Sequence, residues 1–430
     1  MGLPLSDYRA AVDALFARTA GGVKPGLERT EALLEAVGAP HRRLRAFHVA
    51  GTNGKGSVCA TLDYLLRAHG YRVGRYTSPH LVDFRERIVI DGRPIGEDAV
   101  AAWLTEHEAL IEQLGATFFE ATTALAFDWF AKAGVDVAVI ETGLGGRLDS
   151  TNVLPHPIAA VVTSIGLDHT DILGTSVEQI AFEKAGIFKR GAPAIIGERD
   201  PAIAGRLVDL ARERGADPVL VVGIDWQLSG VEVREGVTTF MLGAAGESQR
   251  FETPLLGDHQ AYNAALAIVT LLAAGPEWTP SSGDTAAGLR ALRLPGRFQR
   301  IGHMIFDVAH NPAGAGVLAR TLEQLGAERP VTTLLAVLSD KDWKGMMREL
   351  ARVTDRFVLT TAPTAPPNRV WDLAAAIEEA RAAGYPAEAE PDFARAVEMV
   401  RRAEGTVVIT GSFHTVGDAM ACLQVDPLAG

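Results

Sequence analysis

His48-Val49-Ala50-Gly51-Thr52-Asn53-Gly54-Lys55-Gly56-Ser57 carries an apolar strand into a glycine-rich turn, and from Val58 to His69 the apolar spacing becomes that of an amphipathic helix. Glycines let backbone N–H groups converge on an anion without a Cβ in the way, and the helix N-terminus adds its dipole. Gly51, Thr52, Asn53, Gly54, Gly56 and the helix start at Val58 are therefore expected to cradle the phosphates of a nucleotide. Lys55 would reach the terminal phosphates, and the Ser57 hydroxyl is available to Mg²⁺. The loop departs from the usual P-loop, because Val49 stands at the first glycine position and Gly56 separates the lysine from the serine. The plainer alternative is a glycine turn that only caps a helix.

Composition bounds the rest. A chain of 430 residues is too long for one ordinary core, so two or three domains are expected. Hydrophobic residues make up 47% of it, which excludes a disordered or collagenous chain. A net charge of −12 argues against a protein that coats nucleic acid or an anionic membrane. Cys59 and Cys422 are too few for a disulfide framework or a cysteine zinc site and point to a reducing compartment. Met1-Gly2-Leu3-Pro4 lacks a basic segment followed by an apolar core, and the run Ala264 to Ala274 is too short to span a bilayer. The expectation is a soluble, cytoplasmic monomer.

Strand-length apolar runs at Leu44–Ala50, Val135–Glu141, Ile158–Ser164, Ala192–Ile196 and Val219–Val222 alternate with helix-period segments. That rhythm predicts an α/β fold with a mostly parallel sheet covered by helices. Asp225 to Glu252 reads as a small antiparallel patch, followed by a helix from Asp258 to Ala274. Leu294-Pro295-Gly296-Arg297-Phe298 reads as a hinge. Beyond it, strands at Ile301–Asp307, Val331–Leu338, Arg356–Thr360 and Thr406–Thr410 predict a smaller Rossmann-like α/β domain. The division is thus 1–293, 294–298 and 299–430.

Ligands of open α/β sheets gather at the carboxyl ends of strands. Glu141 ends one such strand, where its carboxylate either holds Mg²⁺ opposite Ser57 or stands solvated. His169 follows another, as a ligand or positioning group or as a structural histidine. Lys184, near the end of the next helix, is a phosphate counter-ion or an ordinary solvated lysine.

Further stretches share an order over nearly the whole chain. They are Pro25-Gly26-Leu27-Glu28-Arg29, Tyr76-Thr77-Ser78-Pro79-His80-Leu81, Phe84-Arg85-Glu86-Arg87-Ile88, Glu141 to Asn152, Leu167 to Asp171 and Glu183 to Ile187. Past these come Gly257-Asp258-His259-Gln260 with Asn263, Pro295 to Phe298, Asp307-Val308-Ala309-His310-Asn311-Pro312, Asp340-Lys341-Asp342 and Thr410-Gly411-Ser412. With the GTNGKGS loop, the set resembles the folylpolyglutamate synthases of the Mur ligase superfamily, including the bifunctional form that is also a dihydrofolate synthase.

The resemblance implies ATP and two Mg²⁺ ions. Ser57 and Glu141 would hold one ion, and Glu141, His169 and a carbamylated Lys184 the other; carbamylation would turn a repelling cation into an anionic oxygen ligand. Asn263, Arg297 and Asp307 would embrace the nucleotide, His310 and Ser412 would place L-glutamate, and Lys55, Lys184 and His310 would act in catalysis. Arg29, Ser78, His80, Arg85 and Thr122 would border the pteridine substrate, and Asp149 would bind substrate. Structural alternatives stay open: Asn263 capping a turn, Asp307 ending a strand, Ser412 N-capping the last helix.

The implied reaction phosphorylates a carboxylate of dihydropteroate or a reduced folate, then lets the α-amine of L-glutamate displace phosphate. Rival readings are a folylpolyglutamate synthase alone, a peptidoglycan Mur ligase, and a non-catalytic nucleotide-dependent binding module. Leu27-Glu28-Arg29 and Thr77-Ser78-Pro79-His80 argue against the peptidoglycan ligase, and the chain has no guanine-reading element, Ser339-Asp340-Lys341-Asp342 being a near miss.

Overall fold

The computed structural model describes residues 5–18 and 26–427; Met1 to Pro4, and Pro25 of the resemblance, lie outside the described residues. The strand leading into the glycine loop, β1 (Ala46–Ala50), is buried along its whole length. Its residues alternate between two cores: Phe47 and Val49 pack with Val58 and Leu62 on one face, while Ala46 joins Tyr76 and Ile140 on the other.

Seven strands join it: β2 (Val73–Tyr76), β3 (Ile88–Ile90), β4 (Arg93–Pro94), β5 (Val137–Glu141), β6 (Ala159–Val162), β7 (Ala194–Ile196) and β8 (Val219–Val221). The order is β4-β3-β2-β5-β1-β6-β7-β8, parallel except for the β3 and β4 edge. Val49 of β1 is in register with Glu141 of β5 and Val161 of β6, so the carboxyl ends of three central strands open side by side. Sequence periodicity missed β2 because Gly74 and Arg75 interrupt its apolar run. Gly74 is required there: a Cβ would lie 2.8 Å from the Phe130 ring.

The antiparallel patch is a three-stranded sheet of β9 (Gln227–Arg234), β10 (Val237–Ala244) and β11 (Glu247–Thr253). The helix Asp258–Ala274 follows and packs its apolar length into the large core. The remaining strands are β12 (Gln299–Ile301), β13 (Met304–Phe306), β14 (Val331–Leu335), β15 (Arg356–Leu359), β16 (Ala387–Ala389) and β17 (Thr406–Thr410), ordered β12-β13-β17-β14-β15-β16. The single strand expected at Ile301–Asp307 is instead a hairpin, because the chain reverses at Gly302 with φ 61°. The molecule is thus a mixed α/β protein with a large, mostly parallel sheet and a smaller C-terminal α/β layer. Among the described residues no helix is long and apolar enough to cross a membrane.

Candidate active site between the sheets

A cleft of about 1470 Å³ opens over the carboxyl ends of β1, β5 and β6, closed on its far side by the C-terminal layer. A pocket for one small ligand is typically about 300–1,000 Å³, so this volume admits more than one substrate.

On the sheet side, Gly51 (φ 151°) and Gly54 (φ 90°) hold backbone conformations that side chains disfavour. A Cβ on Gly54 would also sit 2.6 Å from Asn263 Oδ1. Lys55 Nζ donates to the carbonyls of Gly51 (3.0 Å) and Thr52 (3.2 Å). The buried Lys184 ammonium donates to the same Gly51 oxygen at 2.8 Å. Burial, and then the neighbouring Lys55 charge, push Lys184 down to about 7. Glu141 is 4% exposed and accepts from Ser78 N–H at 3.3 Å. Burial raises its carboxyl, opposed by Lys55 and the Ser78 N–H. Desolvation by the cleft walls, although the side chain is still 39% exposed, and then Lys341 push His169 down to about 4, which favours a neutral ring.

Among the described residues no three His, Cys, Asp or Glu side chains form a ready metal cage. The donors present, the Ser57 hydroxyl and the Glu141 carboxylate, instead fit Mg²⁺, which keeps waters and takes phosphate oxygens as ligands.

On the C-terminal side, both oxygens of Asp307 accept backbone N–H groups, from Phe298 and Ala309, each at 2.9 Å. Arg297 lies over the Phe413 ring at 5.1 Å, and His310 sits 3.7 Å from Asp168, which also pairs with the buried Lys341. Ser412 lines the cleft and also N-caps the last helix, accepting from Thr415 N–H at 3.0 Å. Asn263 binds Gln260 at 3.2 Å. Asn53 and Asn311 exchange amide hydrogen bonds of 3.4 and 3.1 Å and so join the glycine loop to the C-terminal layer.

Ser78, His80 and Asp149 also reach the cleft, but four expected residues are not among those lining it. Arg85 is tied to Asp83 (2.7 Å) and Glu97 (3.3 Å). Arg29 pairs with Glu120 at 2.8 Å. The Thr122 hydroxyl turns back on its own helix to Phe118 O (2.7 Å), and Val58 uses its N–H inside the helix on Gly54 O (3.0 Å).

Arg87 is the residue that sequence reasoning passed over. It is buried, donates from Nε to His80 Nδ1 (2.8 Å) and from Nη1 to Ser78 Oγ (2.9 Å), and lies over Phe118 at 5.0 Å. Among the described residues it forms no ion pair with a carboxylate, and burial pushes it down to about 10. The available signal was spacing: a 3₁₀ turn over Phe84–Arg87 brings positions 84 and 87 to one side, and those two are buried.

Two family models match the chain, the Mur ligase middle domain over residues 96–271 and the Mur ligase glutamate ligase domain over residues 296–413. The dihydrofolate synthase/folylpolyglutamate synthase of Escherichia coli is 37% identical over 98% of this chain and 96% of its own. A Mycobacterium tuberculosis folylpolyglutamate synthase complexed with ADP superposes with a TM-score of 0.90 at 33% identity, covering 98% of this chain and 99% of the other. E. coli FolC in complex with DHPP and ADP gives 0.84 at 34% identity, with 98% of both chains covered. A bifunctional folylpolyglutamate synthase/dihydrofolate synthase with Mn, AMPPNP and L-glutamate bound gives 0.83 at 34%, again over 98% of both. With a phosphate cradle, a strand-end carboxylate and an enclosing C-terminal layer in one cleft, and with likeness along almost its full length, the chain belongs to the dihydrofolate synthase/folylpolyglutamate synthase family of Mur ligases.

Proposed function

We propose that this chain is an ATP-dependent ligase that joins L-glutamate to dihydropteroate and to reduced folates, releasing ADP and phosphate. The observation that carries this reading is the adjacency of two unlike sites. The glycine loop and Glu141 adjoin, through Ser78, the buried Arg87, which among the described residues forms no ion pair with a carboxylate. A phosphate cradle beside an unneutralised guanidinium suits transfer of a phosphoryl group to a carboxylate. The names and bound ligands of the relatives support the same chemistry.

In this reading a substrate carboxylate oxygen attacks the γ-phosphorus, the bond to the β-phosphate oxygen breaks, and ADP leaves. The α-amine of glutamate then attacks the acyl carbon, phosphate departs with its electron pair, and the amine proton is lost to water or a nearby base. Lys55 and Arg297 oppose the charge that develops on the phosphates, and Arg87 orients the carboxylate. His310 and Ser412 hold the incoming glutamate. Asn263 and Asp307 border the nucleotide, and Leu294–Phe298 serves as the hinge between residues 1–293 and 299–430. The C-terminal layer excludes water from the acyl phosphate.

Mg²⁺ at Ser57 and Glu141 would neutralise the phosphate oxygens, with His169 and Lys184 available to a second ion. The depressed proton affinity of Lys184 favours the free amine, which adds CO₂ and loses a proton to give a carbamate.

Purified protein given ATP, Mg²⁺, labelled L-glutamate and either dihydropteroate or a reduced folate should incorporate label with both and release ADP. Stoichiometric AMP and pyrophosphate would sink the acyl phosphate route. Incorporation with the folate alone would leave a polyglutamate-only enzyme; ATP hydrolysis with incorporation from neither would favour the binding module.

A further inference from the structure

His48 lies in the middle of β1, paired with Ile140 on one side and Ala160 on the other, and is fully buried. A histidine at such a position costs free energy relative to an aliphatic residue unless its ring is used. Its Nε2 lies 2.8 Å from the hydroxyl of Thr151, also fully buried, while Nδ1 has no partner. The same hydroxyl is 2.5 Å from Asp149 Oδ1, and Thr151 N–H donates to that oxygen at 3.0 Å. Asp149 Oδ2 accepts from Leu144 N–H at 2.7 Å, and the side chain borders the cleft.

These distances fix the direction of every proton. The Thr151 hydroxyl has one hydrogen, and the carboxylate oxygen, which can only accept, takes it. Toward His48 the hydroxyl must therefore accept, so Nε2 carries the ring proton and Nδ1 is bare. The opposite tautomer would leave an N–H buried without an acceptor, the costlier of the two orphans. Burial, with Lys189 nearby, pushes the ring down to about 3, so it is neutral near neutral pH and the direction holds there.

We propose that His48 is a positioning residue for the pteridine-side substrate, holding Thr151 and through it the carboxylate of Asp149 in one orientation. This rests on the reading above, in which the cleft takes a pteridine, and on Asp149 being the substrate-binding residue that meets it. One strand then serves both halves of the reaction. Its end, Gly51, opens the phosphate cradle, and its middle sets an acceptor for a ring N–H of the other substrate. A catalytic role for His48 itself is excluded by its burial behind Thr151.

The test uses the reach of the side chains. Glutamine carries an amide nitrogen as many bonds from Cβ as His48 Nε2, asparagine only as many as Nδ1. His48→Leu and His48→Asn should raise KM for dihydropteroate about tenfold or more, with KM for ATP unchanged and kcat within about threefold. His48→Gln should return KM to within about threefold of wild type. Should His48→Leu fail to fold, Thr151→Val and Thr151→Ser make the same contrast from the other end: the valine variant loses the relay and the serine variant keeps it. His48→Leu combined with Thr151→Val should be no worse than Thr151→Val alone. A lowered melting temperature with every KM unchanged, or glutamine behaving like leucine, would overturn the relay while leaving the ligase reading intact. Wild-type protein that binds ADP but no pteroate in equilibrium titration would overturn both.

Discussion

The two walls of the cleft are built from different materials. The nucleotide wall is main chain: Gly51 to Ser57 and the ends of β1, β5 and β6 place donors and carbonyls, and each lysine there rests on a carbonyl oxygen. The wall we assign to the pteridine is side chain: Arg87 on His80 and Ser78, and His48 on Thr151 on Asp149. Main-chain sites are set by local sequence and tolerate change around them. Side-chain sites depend on where several distant loops arrive, and each member holds the next.

The largest effects should come from the charges on the nucleotide wall, which act where negative charge accumulates. Lys55→Ala and Glu141→Ala should each lower kcat by roughly 10²-fold or more, followed as ADP release. Near-normal turnover in both would remove the nucleotide wall from the reaction.

Arg85 and Arg87 give the sharpest contrast within the other wall, two residues apart on one turn. Arg87→Ala should lower kcat/KM for dihydropteroate by about 10²-fold with little change in KM for ATP, and Arg87→Lys should not restore it, because one ammonium cannot reproduce the planar fork. Arg85→Ala should stay within about threefold, since part-exposed ion pairs such as those to Asp83 and Glu97 contribute only about 0–1 kcal/mol. Equal losses in the two alanine variants would erase the distinction drawn from burial.

That contrast also explains what the sequence disclosed. The parallel sheet, the glycine loop and the strand-end Glu141 were legible because continuous apolar runs and glycine spacing are local properties. Ser57, Lys55 and Lys184 reach the cleft from their places on those elements. Arg87 was not legible in the same way: nothing in Phe84-Arg85-Glu86-Arg87 says which arginine turns inward until the 3₁₀ turn is known. The hairpin at Gly302 was hidden because its two strands are only three residues each and the first, Gln299-Arg300-Ile301, carries a single apolar residue. The Asp149 relay joins β1 to a loop about a hundred residues later, a distance over which periodicity carries no information.

A smaller effect, on stability, tests whether β1 ties the walls together at a cost. His48 holds a proton at about 6.5 when unfolded but only below about 3 when folded, because burial disfavours the charged ring. Between those values the unfolded chain binds more protons, so stability is present above pH 6.5 and declines as pH falls toward 3. His259, likewise pushed down to about 3, contributes in the same direction. His48→Gln should lose one proton's share of the slope, making unfolding by urea less pH-sensitive by about 1.4 kcal/mol at pH 5.5 relative to pH 7.5. Unchanged slopes would mean that the ring is not held neutral.

The smallest effect should come from a direct side-chain link between the glycine loop and the C-terminal layer, the reciprocal amide pair Asn53–Asn311. Asn311 also N-caps the helix Pro312–Leu325, donating nothing there but accepting from Gly314 N–H at 2.8 Å. Serine can keep that cap while removing the amide, so Asn311→Ser isolates the link from the helix. Asn53 is held by its own backbone, its carbonyl accepting from Thr163 Oγ1 at 2.6 Å, so Asn53→Ala should leave the loop path in place. A hydrogen-bonded pair of neutral amides at a part-buried site contributes about 0.5–1.5 kcal/mol net. In a double-mutant cycle on kcat/KM for ATP, the two substitutions should therefore couple by about 1 kcal/mol, roughly fivefold in rate. If the effects simply add, the nucleotide wall closes against the C-terminal layer without this contact, and Asp168 with Lys341 and His310 is the next link to test.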